Sequence, residues 1–172
     1  MKPVNTRKLV LAAVLIAIGV VCSPLSIPIG ASRCFPVQHM VNVLCAVFLG
    51  PVYGVSCAFI TSLIRVMIGS GTLLAFPGSM CGALLCGLVF HYTQKLIPTY
   101  LGELFGTSIL GSVVAWPMAS LLLGKEAAIF TYVLPFFVSC IGGVLIAAVL
   151  VAALKKTHIM DTVLYGKAEA HK

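Results

Sequence analysis

Charge is what this chain has least of. Only 9% of its residues are charged and four are acidic, against roughly 25% charged in a soluble domain. With 60% hydrophobic residues and a mean hydropathy of +1.14, that scarcity excludes an ordinary soluble fold and indicates an integral membrane protein. Catalytic motifs are missing too. There is no GxxxxGK[ST], HExxH or GxSxG, no paired carboxylates and no nucleophile with an evident base. The chain alone is therefore not expected to hydrolyse ATP, to act as an enzyme or to carry a cofactor. Seven cysteines are an odd number, form no CxxC pair and lie mostly inside apolar runs, so they read as packing residues and not as metal ligands or disulfides. The net charge of +7 comes from basic residues near the ends of apolar segments, without interleaved aromatics. That pattern orients a chain in a membrane and does not bind nucleic acid. Transport or substrate capture remains, with energy supplied by a partner or an ion gradient.

What is present is a series of apolar segments filling one membrane domain over residues 1–172, all-α with six transmembrane helices. Their expected spans are about 7–22, 38–50, 52–68, 76–92, 99–123 and 132–154. Arg7 and Lys8 before the first apolar run imitate a signal peptide, but Ser23-Pro24 leads into Ile27 and Ile29 with no small-x-small cleavage pattern, so the segment reads as a retained helix. Six spans leave both termini on one side. Lys2, Arg7, Lys8, Lys95, Lys155 and Lys156 share it, against Arg33 and Lys125 opposite, which makes the termini cytoplasmic and the protein a multi-pass component of the cell membrane. Ser23 to Gly30 reads as a loop with no helical period. A kink is expected near Pro117.

The polar stretch Cys34-Phe35-Pro36-Val37-Gln38-His39-Met40-Val41-Asn42 interrupts this apolar background. Pro36 ends or begins a helix and cannot continue one; on the helix that the polar residues then open, Gln38, His39 and Asn42 fall within an arc of roughly 100°. They can converge on one ligand, or, more plainly, Gln38 and His39 cap the helix N-terminus at the membrane surface. Helix 2 spans only about 18 Å, so its polar end should lie below that surface. Counting depth along each helix puts Gln38, Asn42, Arg65, Ser79, Ser112 and Ser139 roughly 12 to 23 Å above the cytoplasmic face, with Trp116 slightly higher. These residues are the expected lining of an outward cavity. Arg65 would meet an anionic or carbonyl group or snorkel to the surface. Glu103, at about 6 Å from the inner face, is expected to favour its helix N-terminus or pair with Lys95 or His91, away from the ligand. A carboxylate or histidine relay of the kind an ion-coupled carrier uses is then missing, and the outer half suits a neutral ligand better than a cation. Ala13 and Ala17, four apart on helix 1, would let another helix approach closely, from within the protein or from a partner.

The segments CFPVQHMVN (34–42), Leu49-Gly50-Pro51, TSLIR (61–65), GTLLAFPGSM (71–80) and Gly102-Glu103 with Gly106-Thr107 closely resemble the ThiW family. The resemblance covers helices 1 to 5, and helix 6 by hydropathy. It implies the substrate-binding S component of an energy-coupling factor (ECF) transporter, capturing a thiamine precursor, hydroxyethylthiazole, from outside. Its implied partners are a transmembrane T component and two ATPase subunits, with Ala13 and Ala17 matching the docking motif on helix 1. A stand-alone secondary transporter or channel for a small neutral metabolite is the alternative.

Overall fold

Proline and glycine set the ends of the helices. Pro36 and Pro51 each sit in the first turn of a helix, where a missing amide proton costs nothing. Gly50, at φ +90°, makes the sharp corner between the two. In the computed structural model, which describes residues 6–29, 32–124, 128 and 130–157, the order is α1 (Thr6–Val21), β1 (Ile27–Ile29), β2 (Ser32–Cys34), α2 (Pro36–Phe48), α3 (Pro51–Met67), α4 (Ala75–Thr93), α5 (Leu96–Phe105), α6 (Ser112–Leu123) and α7 (Val133–Lys156). A π-helical segment, Gly106–Gly111, joins α5 to α6 without a break. Lys2 and Lys125 lie outside the described residues.

The protein is helical, as its composition requires. Among the described residues, three helices are long and apolar enough to cross a bilayer: Ala75–Thr93, Leu96–Leu121 and Val133–Lys156. α2 and α3 are apolar but shorter. α2 is the centre of the molecule, packed by α7, α4 and α3, and it is buried without interruption from Gln38 to Val47. Its apolar residues Val41, Val43, Leu44 and Val47 form one core with Ala12 and Leu15 of α1, Cys57 of α3 and Val144, Ala147 and Val151 of α7. All seven cysteines are free thiols.

Small residues bring the other helices in. A Cβ on Gly111 would stand 2.7 Å from Gly78 Cα, and one on Gly106 would stand 2.8 Å from the Cys81 carbonyl oxygen, so α4 and the π-helical segment touch backbone to backbone. At Gly143 of α7 an added Cβ would fall on the Pro36 carbonyl oxygen.

Four expectations change. Ser23 to Gly30 is not wholly irregular, because Ile27–Ile29 pairs antiparallel with Ser32–Cys34, Pro28 opposite Arg33; strands of three residues are too short to show a period. Helix 2 begins at Pro36, two residues earlier than expected, because proline starts the helix from inside it. Helix 5 begins at Leu96, where Lys95 is still extended. The fifth span also leaves α-helical geometry at Gly106–Gly111, which the apolar run does not show, and α6 contains Pro117.

Candidate functional site

Because α2 is surrounded on all sides, its three polar side chains have no route to water and must be satisfied within the protein. They are satisfied in a chain. Arg65 Nη1 donates to Gln38 Oε1 at 3.3 Å, and Gln38 Nε2 donates to Asn42 Oδ1 at 3.2 Å. Asn42 Nδ2 donates to Glu103 Oε1 at 2.9 Å and to the Ser79 carbonyl oxygen at 3.1 Å. The same Glu103 oxygen lies 3.0 Å from His39 Nδ1 and accepts from Thr107 Oγ1 at 3.3 Å. A guanidinium and a carboxyl group thus stand at the two ends of a line of amides that links α3, α2 and α5.

Gln38, His39 and Asn42 do not cap α2. Its N-cap, Phe35, makes no side-chain cap bond, and the Phe35 amide instead donates to Ser139 Oγ at 2.7 Å. Ser139 therefore ties the start of α2 to α7. Arg65 does not snorkel: it is 1% exposed, and its guanidinium carbon lies 3.8 Å from the centroid of the Phe35 ring, within cation–π range. Ser79 donates its hydroxyl to the Ala75 carbonyl oxygen, lies 3.0 Å from Ser62 Oγ, and contributes its own carbonyl oxygen to Asn42. Ser112 is buried with an unpartnered hydroxyl.

Glu103 is the principal correction. It is fully buried and joined to His39, Asn42 and Thr107, while Lys95 and His91 are exposed. Starting helix 5 at Thr99 made Glu103 too shallow. Counted from Leu96 it lies about 10 Å in, level with Asn42 counted back from the end of α2. Gly82 makes room for it, since a Cβ there would fall on Thr107 Oγ1 and 2.8 Å from Glu103 Oε1. A signal was present: an acidic residue inside an apolar helix is a functional candidate in its own right, and Thr107 stands one turn away on the same face. Two expectations built on its absence fail with it. The interior holds a carboxylate, so charge no longer argues against a cationic ligand. It also holds a His–Glu pair of the type an ion-coupled carrier uses.

Trp116 stands apart. It is 36% exposed on α6, whose neighbouring residues Ala115 and Ala119 take the buried face, so it does not join the polar line. Ala13 and Ala17 are exposed on α1 while Ala12, Leu15 and Gly19 face inward, so they are not internal packing positions. Ala13 borders an apolar groove of about 240 Å³ between α1 and α3, lined also by Ala12, Ile16, Tyr53 and Ile60.

The chemistry of the site is polar recognition. In the tautomer whose Nδ1–H donates to Glu103 Oε1, His39 Nε2 is left to accept from a donor such as a hydroxyl. Cys140, expected from the sequence only to pack, stands close to the pair: one donor atom each from His39, Glu103 and Cys140 lies within 4.8 Å of the others. As arranged, Glu103 Oε1 already serves three hydrogen-bond partners.

No curated protein and no solved structure matches the chain. A family model described as "Thiamine-precursor transporter protein (ThiW)" matches residues 9–157, which contain every residue of the polar line. The chain belongs to the ThiW family of thiamine-precursor transporter proteins.

Proposed function

We infer that this protein is the substrate-binding S component of an ECF-type, ATP-driven importer, and that it captures the thiazole alcohol hydroxyethylthiazole from outside the cell. The observation that carries this reading is the buried line from Arg65 to Glu103, which offers both donors and acceptors to a small heteroaromatic alcohol in an interior otherwise apolar. Six spans with cytoplasmic termini complete the reading, together with a T component and two ATPase subunits docking on the Ala13–Ala17 face. Gln38, His39, Asn42, Arg65 and Ser79 bind the ligand, with Ser139 positioning α2.

Calorimetry on the purified protein tests it. Each buried hydrogen bond is worth about 0.5 to 1.5 kcal/mol net, so His39→Ala or Asn42→Ala should each weaken hydroxyethylthiazole several-fold, and the pair by more than tenfold. Unchanged affinity in the double variant would remove α2 from the site.

Orientation has its own check. In a background lacking the seven native cysteines, a cysteine introduced at the exposed position 33 should react with an impermeant reagent from outside, and one at position 95 should be spared. The reverse pattern would invert the topology.

One observation favours a second reading. The buried His39–Glu103 pair is the kind of group through which a stand-alone carrier couples to protons. Vesicles holding this chain alone distinguish the two: uptake driven by an imposed proton gradient would establish the carrier, and its absence is expected of an S component.

A further inference from the structure

Arg65 is held on three sides. Its Nη1 donates to Gln38 Oε1, its guanidinium face is covered by the Phe35 ring, and the turn after α3 closes over its backbone. In that turn the Ser70 and Gly71 amides both donate to the Arg65 carbonyl oxygen at 2.9 Å, and Ser70 Oγ is bonded to Ser23 Oγ at 2.9 Å. The remaining two nitrogens, Nε and Nη2, are buried and have no hydrogen-bond partner among the described residues. These two are not an arbitrary pair. Nε–H and Nη2–H point from the same edge of the guanidinium plane, parallel and spaced to match two oxygens of one carboxylate or phosphate.

Among the described residues nothing fills that edge. Among the described residues the single carboxylate is Glu103, and its recorded ion-pair partner is His39. Gln38 and Asn42 stand between it and Arg65. A buried charge with unmade hydrogen bonds is costly, so a fork left open and already oriented is a place where a ligand supplies the missing oxygens. Thr61, one turn earlier on α3, is a second buried group with an unpartnered oxygen. It lies on the same side of the helix, since a Cβ on Gly19 would contact both Thr61 and Gln38 Oε1.

We propose that the Nε–Nη2 edge of Arg65 is an oxyanion subsite, and that the preferred substrate is an anionic form of the thiamine precursor: the phosphate monoester of its alcohol in place of the free alcohol. The proposal rests on the thiazole-binding reading above and names its substrate class. In it the oxyanion bridges Nε and Nη2, and the ring extends toward Gln38 and Asn42.

Calorimetry with four probes tests it on the full chain in detergent: hydroxyethylthiazole, its phosphate, a thiazole carboxylate and inorganic phosphate. The phosphate ester should bind at least tenfold tighter than the alcohol. Arg65→Lys keeps the charge but loses the fork, so most of that preference should go; Arg65→Gln should abolish it, so that ester and alcohol bind alike. Thermal unfolding of each variant confirms folding, and Arg65→Lys decides alone if Arg65→Gln does not fold. An ester no tighter than the alcohol, or a preference unchanged by Arg65→Lys, overturns the subsite and leaves the thiazole reading standing. Arg65-dependent binding of inorganic phosphate without any thiazole binding would do the opposite. Tighter binding of the carboxylate than of the phosphate, lost in Arg65→Lys, supports the oxyanion subsite and reassigns its substituent.

Discussion

Glu103→Ala is expected to lower the melting temperature of the purified protein by roughly 10 to 20 °C. The carboxylate oxygen Oε1 is the acceptor for three buried donors, from His39, Asn42 and Thr107. Orphaning a buried donor costs about 1 to 3 kcal/mol, so three together cost about 3 to 6 kcal/mol even after partial relaxation. Against a total stability of roughly 5 to 15 kcal/mol that is a large share, and each kcal/mol is worth about 2 to 4 °C in a domain of this size. Glu103→Gln keeps one acceptor oxygen and nearly the same volume, and should lose only about a third as much. The comparison separates the acceptor role from simple space-filling. An alanine variant that melts within about 2 °C of the parent would mean that Glu103 is not the acceptor on which these donors depend.

The second large effect is on uptake. Ala13→Leu with Ala17→Leu should abolish transport in cells, at least tenfold below the parent, while hydroxyethylthiazole affinity of the isolated chain stays within twofold. Both side chains point outward from α1, so leucine there disturbs no internal contact and the melting temperature should not move. What the substitutions fill is a face that only small residues leave open to another helix, beside the groove between α1 and α3. Co-purification with the ATPase-bearing partners proposed above should be lost in parallel. A double variant that still co-purifies and transports normally would make these alanines ordinary lipid-facing positions.

The helices were legible in the sequence because their ends are written in proline and glycine, and their lengths in apolar runs. The meeting of Gln38, Asn42, Arg65 and Ser79 was legible for a related reason: polar side chains in an apolar chain must find one another, and counting 1.5 Å per residue brings them to one level, while His39 follows from its helical spacing to Asn42. Glu103 failed that count because three residues of α5 were assigned to the preceding loop, and 4 to 5 Å is enough to move a carboxylate out of reach of its partners. Trp116 failed for a different reason. Depth says nothing about the side of a helix on which a residue sits, and the π-helical segment Gly106–Gly111 shifts the facing of everything after it relative to a regular helix. The ribbon of β1 and β2 was hidden because its two strands are three residues each.

The line of amides has a consequence for how the interior can move. Gln38 turns its oxygen to Arg65 and its nitrogen to Asn42, and Asn42 repeats the same sense, oxygen toward Gln38 and nitrogen toward Glu103. Neither amide can turn over alone, because its neighbour would then meet oxygen with oxygen or nitrogen with nitrogen. Turning both sets an amide nitrogen against the guanidinium and an amide oxygen against the carboxylate. The guanidinium and the carboxyl group act as opposite clamps on a wire, and the only low-energy sense of the wire is the one that runs from the first to the second. A ligand bound as proposed above would meet a fixed head and a fixed tail, and be accepted one way round.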